Sequence, residues 1–182
     1  NGSNEHFLGS IGYGALMGLL KNYEIMNPFI SSTHDSLKRL KPGYEAPVCI
    51  VTSLGNDVKI PSRNRTVLIS LIKDLNNKMS TRFELRSPNP RTNIYLAIAV
   101  SYMAMLDGIK YALNSNNTEE ELLKEREILQ MAMKITARYN VLDTKLAINT
   151  AEYLYNANIR LDKFQPKYYY GLFDLDEITT KN

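Results

Sequence analysis

From Thr92 to Leu113 the chain is apolar on nearly every side, the pattern of a helix packed against several neighbours at once. Whatever else the sequence does, it must surround this segment. The longest greasy run within it, 94–106, is interrupted by Ser101 and is too short to span a bilayer, which predicts a soluble chain with no membrane partner. A chain of 182 residues suffices for one domain with a proper core, so residues 1–182 are expected to form a single domain. Apolar residues at 44 % and charged residues at 23 % are ordinary globular usage and argue against a disordered or fibrous chain.

Several shorter elements are legible around the apolar helix. Ile11, Leu16, Leu19, Leu20 and Tyr23 recur at helical spacing and predict a helix over 8–23. Its glycines, Gly12, Gly14 and Gly18, lack the preceding strand and the spacing of a dinucleotide fingerprint, and point to close helix packing. Residues 27–47 hold three prolines and no periodicity, and read as a long loop suited to binding or covering a site. Runs at 48–52, 66–71 and 82–86 read as strands, with Gly55, Asn56, Asp57 and Pro61 as the loop between the first two. Thr118 and Glu121 form a capping box opening a helix towards Tyr139, and a last helix starts at Asp143. The tail after Gln165 carries Tyr168, Tyr169, Tyr170 and Phe173 and resembles a docking segment. No repeat is visible. These elements predict an α+β fold, a short antiparallel sheet packed with helices.

Charge is unevenly distributed. The net charge is only +3, but residues 38–91 hold eleven Lys and Arg against four acids, while the rest of the chain is net acidic. A solvated basic face and a pocket for a carboxylate or polyanion both fit this pattern. Nucleic acid is not expected, because basic tails, zinc-finger spacings and the aromatic RNA-binding signature are missing. The single cysteine, Cys49, excludes an internal disulfide framework, and a reducing, cytoplasmic setting is expected.

Three patterns carry candidate chemistry. In the strand Arg82, Phe83, Glu84, Leu85, Arg86, alternation places both arginines and the glutamate on one face. That face is either a ladder of compensating charges or the wall of a cleft; the sequel Ser87, Pro88, Asn89, Pro90 ends the strand and leads into the apolar helix. In the segment 38–47, Arg39 has the fork geometry for a carboxylate, and Glu45, on a turn with Gly43 and prolines, is placed to swing over a site as a general base. Arg63 and Arg65 open a strand, as phosphate handling requires.

Together and in this order, these patterns resemble the carboxy-terminal half of the glutamine synthetase catalytic domain. "KRLKPGYEAPV" is similar to the family's flexible flap, "SRNR" to its arginine motif, and "RFELRSPNPRTNIYLAIAVSYMAMLDGIK" to its metal-binding strand and following helix, over roughly residues 13–112. The resemblance implies an ATP-dependent cytoplasmic ligase of nitrogen metabolism that forms glutamine from glutamate and ammonia through a γ-glutamyl phosphate, working as a homo-oligomeric ring. It implies that Arg39 and Arg86 hold substrate carboxylates. Glu45 would close the site and take a proton from ammonium, Arg65, Arg82 and Lys78 would face the ATP phosphates, and Glu84 would bind Mg²⁺ or Mn²⁺. Asn1, Gly2, Ser3 and His6 are similar to the family's amino-terminal signature, which makes His6 a second metal candidate, although Asn4 and Glu5 break that signature.

The sequence also departs from the family. Ser70 stands where a further phosphate-binding arginine is expected, Met79 where a lysine is expected with Lys78 one place away, and 49–62 is longer than usual; no clear family pattern is legible beyond Asn114. The family's upstream half, which supplies most metal-binding glutamates and an aspartate to the neighbouring subunit, has no counterpart in these residues. The chain alone is therefore expected to be inactive. Two other readings stand beside it: a sister ligase joining glutamate to a different amine, and a degenerate module that binds or regulates.

Overall fold

A computed structural model describes residues 7–33, 35–36, 49–57, 59–61, 67–74, 76–139 and 143–159. Five helices are described: α1 (Ser10–Lys21), α2 (Tyr23–Ile30), α3 (Ile94–Ser115), α4 (Glu119–Tyr139) and α5 (Thr144–Asn156). The strands are β1 (Cys49–Ser53), β2 (Gly55–Asp57), β3 (Ile60–Pro61), β4 (Val67–Ile72) and β5 (Arg82–Leu85).

The expected α+β architecture holds, with helices predominating. β4 and β5 pair antiparallel, as do β2 and β3, while β1 joins the other edge of β4 in parallel, so the three-stranded sheet β1-β4-β5 is mixed. β4 is central, and Val67, Leu68, Ile69, Ser70 and Leu71 are all buried, which accounts for its apolar run without strict alternation.

At the centre lies α1. Every residue from Tyr13 to Leu20 is buried, and Leu16, Leu19 and Leu20 share one core cluster with Leu68, Ile69 and Leu71 of β4 and with Ala104 and Ala112 of α3. The glycines expected to serve close packing do so. A Cβ on Gly14 would sit 2.7 Å from the Gly108 carbonyl oxygen and 2.8 Å from the Ala112 Cβ, and Cβ atoms on Gly18 or Gly108 would overlap the facing backbone. Asp107 Oδ2 fastens the end of this crossing, accepting from Asn22 Nδ2 at 3.1 Å and Lys21 Nζ at 3.4 Å. The Asn22 hydrogen bond, and secondarily the Lys21 charge, hold its carboxyl below the ordinary range.

Three expectations need correction. Residues 27–30 are not loop: α2 continues through Pro28 to Ile30, because Tyr23, Met26, Asn27 and Ile30 bury one helical face while Pro28 lies on the exposed side. Gly55, Asn56, Asp57 and Pro61 belong to the β2–β3 pair rather than to a plain loop. The apolar helix α3 is not covered all round. Ala104, Gly108 and Ala112 are its buried residues, and much of its apolar surface faces solvent. It also extends to Ser115, so by length and composition, though not by the run 94–106, it is long and apolar enough to cross a membrane.

Helix ends follow their caps. Asn93 Oδ1 accepts from the backbone N–H groups of Tyr95 and Leu96 at the start of α3, and Asn116 closes it in the left-handed region at φ 57°. The capping box of α4 is formed: Thr118 donates its backbone N–H to Glu121 Oε2 at 2.8 Å, and the Glu121 N–H returns to Thr118 Oγ1 at 3.2 Å. The Thr118 backbone N–H, and secondarily the Thr118 hydroxyl, which donates to Glu121 Oε2 at 2.9 Å, lower the Glu121 carboxyl below its ordinary value of 4.5. A folded pKa below the unfolded one means that this cap contributes in full above about pH 4.5 and is lost as pH falls through the lower folded value. Amide exchange at Thr118 should accelerate beyond the intrinsic trend below that pH, and Glu121→Gln should remove the dependence. A Thr118 profile identical in both proteins would contradict the assignment.

Candidate functional site

β5 carries the described part of the site. Its register with β4 pairs Ile69 with Leu85, Ser70 with Glu84, Leu71 with Phe83 and Ile72 with Arg82. Phe83 and Leu85 pack against the core, leaving Arg82, Glu84 and Arg86 for the other face, as alternation predicts. The Arg86 N–H donates to the Leu68 carbonyl at 3.0 Å and prolongs the ladder by one residue.

The segment after β5 is anchored to α2. Ser31 Oγ donates to the Ser87 carbonyl at 3.0 Å, and Ile30 O accepts from the Asn89 N–H at 2.8 Å and from Thr92 Oγ1 at 2.7 Å. Asn89 Oδ1 also accepts from the Arg91 N–H at 2.8 Å, closing a turn before α3. Arg86 is thereby held between a sheet and a stitched turn rather than on a free loop.

Its guanidinium is largely enclosed. The Arg86 side chain is 14 % exposed and its Nη2 lies 3.0 Å from Glu84 Oε2, whose side chain is 44 % exposed. Arg86 Nε is buried with no hydrogen-bond partner among the described residues. A buried, unpartnered donor on a cation costs free energy, of order 1–3 kcal/mol, unless an acceptor reaches it. Arg82, by contrast, is exposed and turns Nη1 to the Ser80 carbonyl at 3.0 Å. Lys78 lies on the 3₁₀ turn Lys78–Ser80 just before β5. The structure thus brings Glu84 and Arg86 together, with Arg82 on the same strand. Arg39, Glu45, Arg65 and His6 lie outside the described residues.

The fit to each implied group differs. Arg82 at the strand start is an exposed cation that an anionic oxygen could approach from solvent. A divalent metal is not accommodated by what is described: Glu84 offers one carboxylate, already engaged by Arg86, and among the described residues no group of three or more His, Cys, Asp and Glu comes together. Mg²⁺ and Mn²⁺ require about six oxygen-type ligands, so Glu84 needs further donors to hold one.

One polar cluster was not anticipated. Arg126 of α4 is buried, donates to Thr52 Oγ1 of β1 at 2.9 Å and to Gln130 Oε1 at 3.3 Å, and faces Glu127 Oε1 at 3.2 Å. Gln130 Oε1 in turn accepts from Thr52 N at 2.9 Å and Oγ1 at 2.8 Å. Burial pulls the guanidinium below its ordinary value, with Glu127 opposing. The cluster locks β1 to α4, and the only sequence signal for it is the i, i+4 spacing of Arg126 and Gln130.

A mostly helical unit thus carries a charged strand, β5, at the edge of its three-stranded sheet. The comparisons make this specific. The model of the glutamine synthetase catalytic domain matches residues 1–149, and the chain belongs to that family. The match is longer than the resemblance over 13–112 and continues past Asn114, where no pattern was legible. The glutamine synthetase of Escherichia coli K12 is 34 % identical over 132 residues, 69 % of this chain and 26 % of that protein. That of Clostridium saccharobutylicum is 36 % identical over 129 residues, 71 % of this chain and 26 % of the relative, and that of Thermotoga maritima 45 % over 92 residues, 50 % of this chain and 19 % of the relative. The chain spans about a fifth to a quarter of the length of these curated relatives.

Proposed function

We propose that the chain, as one domain over residues 1–182, is the carboxy-terminal part of a cytoplasmic, ring-forming ligase that makes glutamine. In the first step a γ-carboxylate oxygen of glutamate attacks the γ-phosphorus of ATP, breaking the bond to the bridging oxygen and releasing ADP. In the second, the nitrogen of ammonia attacks the γ-carbon of γ-glutamyl phosphate, and phosphate leaves. Arg86 and Arg39 hold the carboxylates of glutamate, Arg65, Arg82 and Lys78 face phosphate oxygens, and Glu45 takes the proton that ammonium must lose. Phosphoryl transfer of this kind is chiefly positioning and charge neutralisation, which guanidinium groups supply. Glu84 and His6 are the chain's candidate donors to Mg²⁺ or Mn²⁺, a site that further donors must complete, and no step is derived through it.

The observation that carries this reading is Arg86: an enclosed cation fixed by Glu84, with an Nε–H that no described protein group receives. A carboxylate oxygen is the acceptor that position favours. Because the upstream portion of the family is not in these residues, the isolated chain should give no ATP-dependent glutamine above a no-enzyme control; glutamine formation by the chain alone would contradict this.

Product identity is tested in a chimera of the E. coli enzyme in which this chain replaces the matched segment. Given ATP, Mg²⁺, glutamate and either ammonium or a panel of primary amines, it should use ammonium best. Preference for another amine would instead support a sister γ-glutamyl–amine ligase. One observation favours a degenerate binding or regulatory module: Ser70, where the family has an arginine, is buried opposite Glu84. On that reading the assembled chimera binds glutamate but turns nothing over.

A further inference from the structure

Arg86 is pinned from two sides. Its N–H joins the sheet through the Leu68 carbonyl at 3.0 Å, and the next carbonyl along, that of Ser87, accepts from Ser31 Oγ at 3.0 Å. The second anchor belongs to a junction at the end of α2. A carbonyl at a helix C-terminus has no partner within the helix. That of Ile30 receives two donors from the segment after β5, the Asn89 N–H at 2.8 Å and Thr92 Oγ1 at 2.7 Å. Pro88 and Pro90 have no N–H, so Asn89 holds the one backbone donor of 88–90, and the two rings restrict the backbone around it. Ile30, Ser31 and Ser87 are all buried, so losing a donor here leaves a carbonyl short of a partner in the interior. Each of these hydrogen bonds joins two residues of this chain, so the junction does not depend on any other part of a longer protein.

We propose that Ser31 and Thr92 are positioning residues for the Arg86 guanidinium, and that the junction they make sets its distance from Arg39. The inference rests on the assignment of Arg86 and Arg39 to the carboxylates of glutamate. Ser31 Oγ holds the carbonyl immediately after Arg86; without it, the end of the strand is tied on the β4 side alone. Recognition of a carboxylate by a guanidinium is directional, because two oxygens must meet a rigid fork. A displacement of about 1 Å in a binding group can cost as much as about 10²-fold. Arg86 has little freedom to compensate, since its side chain is enclosed and Nη2 is fixed 3.0 Å from Glu84 Oε2. The same junction opens the chain that leads to Arg39: Ser31 stands eight residues before it and Ser36, also buried, three. Both arms of the carboxylate grip are therefore referred to one buried point at the end of α2.

Two measurements test this, the first independent of any ligase activity. In the full 182-residue chain, the Arg86 Nε–H is followed by proton–nitrogen NMR and assigned by its loss in Arg86→Lys. Ser31→Ala should shift this signal and speed its exchange with water by about 3-fold or more, the loss of one buried hydrogen bond. The Arg126 Nε–H, buried in a separate cluster, should stay in place, and Ser31→Thr, which keeps the hydroxyl, should restore the Arg86 signal. In the E. coli chimera, Ser31→Ala and Thr92→Val should each raise KM for glutamate about 3–10-fold, with kcat and KM for ATP unchanged. Combined with Arg86→Ala, Ser31→Ala should add less than about 2-fold, because a positioning residue has nothing left to position. An Arg86 signal unmoved by Ser31→Ala, or a full additional loss in the Arg86→Ala background, would overturn the positioning role while leaving Arg86 with glutamate. Arg86→Ala without effect on KM for glutamate would overturn both.

Discussion

Gly108→Leu should lower the melting temperature of this chain far more than any other single glycine substitution on an exposed or yielding site. A Cβ at position 108 would overlap the Gly14 carbonyl oxygen and the Gly18 backbone, and a Cβ at position 18 would overlap the Ala104 carbonyl. These obstacles are main-chain atoms of a facing helix, so no rotamer change relieves them; the helices must separate. Separation uncovers Leu16, Leu19 and Leu20, which α1 shares with the sheet. Overpacking of this kind costs about 1–3 kcal/mol where neighbours can give, and more where they cannot. Against a typical stability of about 5–15 kcal/mol for a domain, a loss above about 3 kcal/mol lowers the melting temperature of a chain this size by at least about 6–12 degrees. Thermal denaturation followed by circular dichroism checks this. Gly12→Ala is the control, because its new Cβ would meet no facing backbone among its nearest atoms, only the Leu8 side chain at 3.1 Å, which a shift of a few tenths of an ångström relieves, and it should melt within a few degrees of wild type. A Gly108→Leu protein as stable as that control would mean the α1–α3 crossing is wrongly described.

The second large effect concerns substrate binding. In the chimera, Arg86→Ala should raise KM for glutamate by about 10²–10³-fold, since a charge-assisted, enclosed hydrogen-bonding pair is lost and Glu84 is left without its partner. Arg86→Lys keeps the charge but not the fork, and should recover only a small part of the loss. Steady-state kinetics with glutamate varied at saturating ATP separates this from phosphate handling: Arg82→Ala should act on KM for ATP instead. An Arg86→Ala chimera with unchanged KM for glutamate would leave the Arg86–Glu84 pair as a compensating surface ladder and nothing more.

How much of this was legible in the sequence depends on which physical signal each element emits. The alternation in Arg82, Phe83, Glu84, Leu85, Arg86 is local and strong, and the strand lies where it predicts, followed by the turn that Pro88 and Pro90 require. Thr118 with Glu121 and Asp143 at the start of α5 are likewise local signals, and both caps are formed. What failed was anything set by tertiary contact. Pro28 suggested a loop, but burial of Tyr23, Met26 and Ile30 carries the helix past it; their i, i+3, i+7 spacing was the available clue. The composition of α3 announces a helix without saying which faces are covered, so its exposed side was read as core. Parallel pairing of β1 with β4 and the Arg126–Thr52–Gln130 lock join residues more than seventy positions apart in the second case, beyond any local pattern. Of the candidate site, the Glu84–Arg86 half is seen and matches the alternation; the residues contributed by 38–47 and 62–66 lie outside the described portion.

Glutamine formation by the chimera is the most direct test of the central claim, that this chain places Arg86 and Glu84 where a ligase holds glutamate. Assembled to the oligomer mass of the parent E. coli enzyme and supplied with glutamate, ammonium, ATP and Mg²⁺, it should release glutamine, ADP and phosphate in equal amounts, and Arg86→Ala should suppress that release at subsaturating glutamate. A correctly assembled chimera that forms no glutamine, or one whose rate is indifferent to Arg86, would contradict the account.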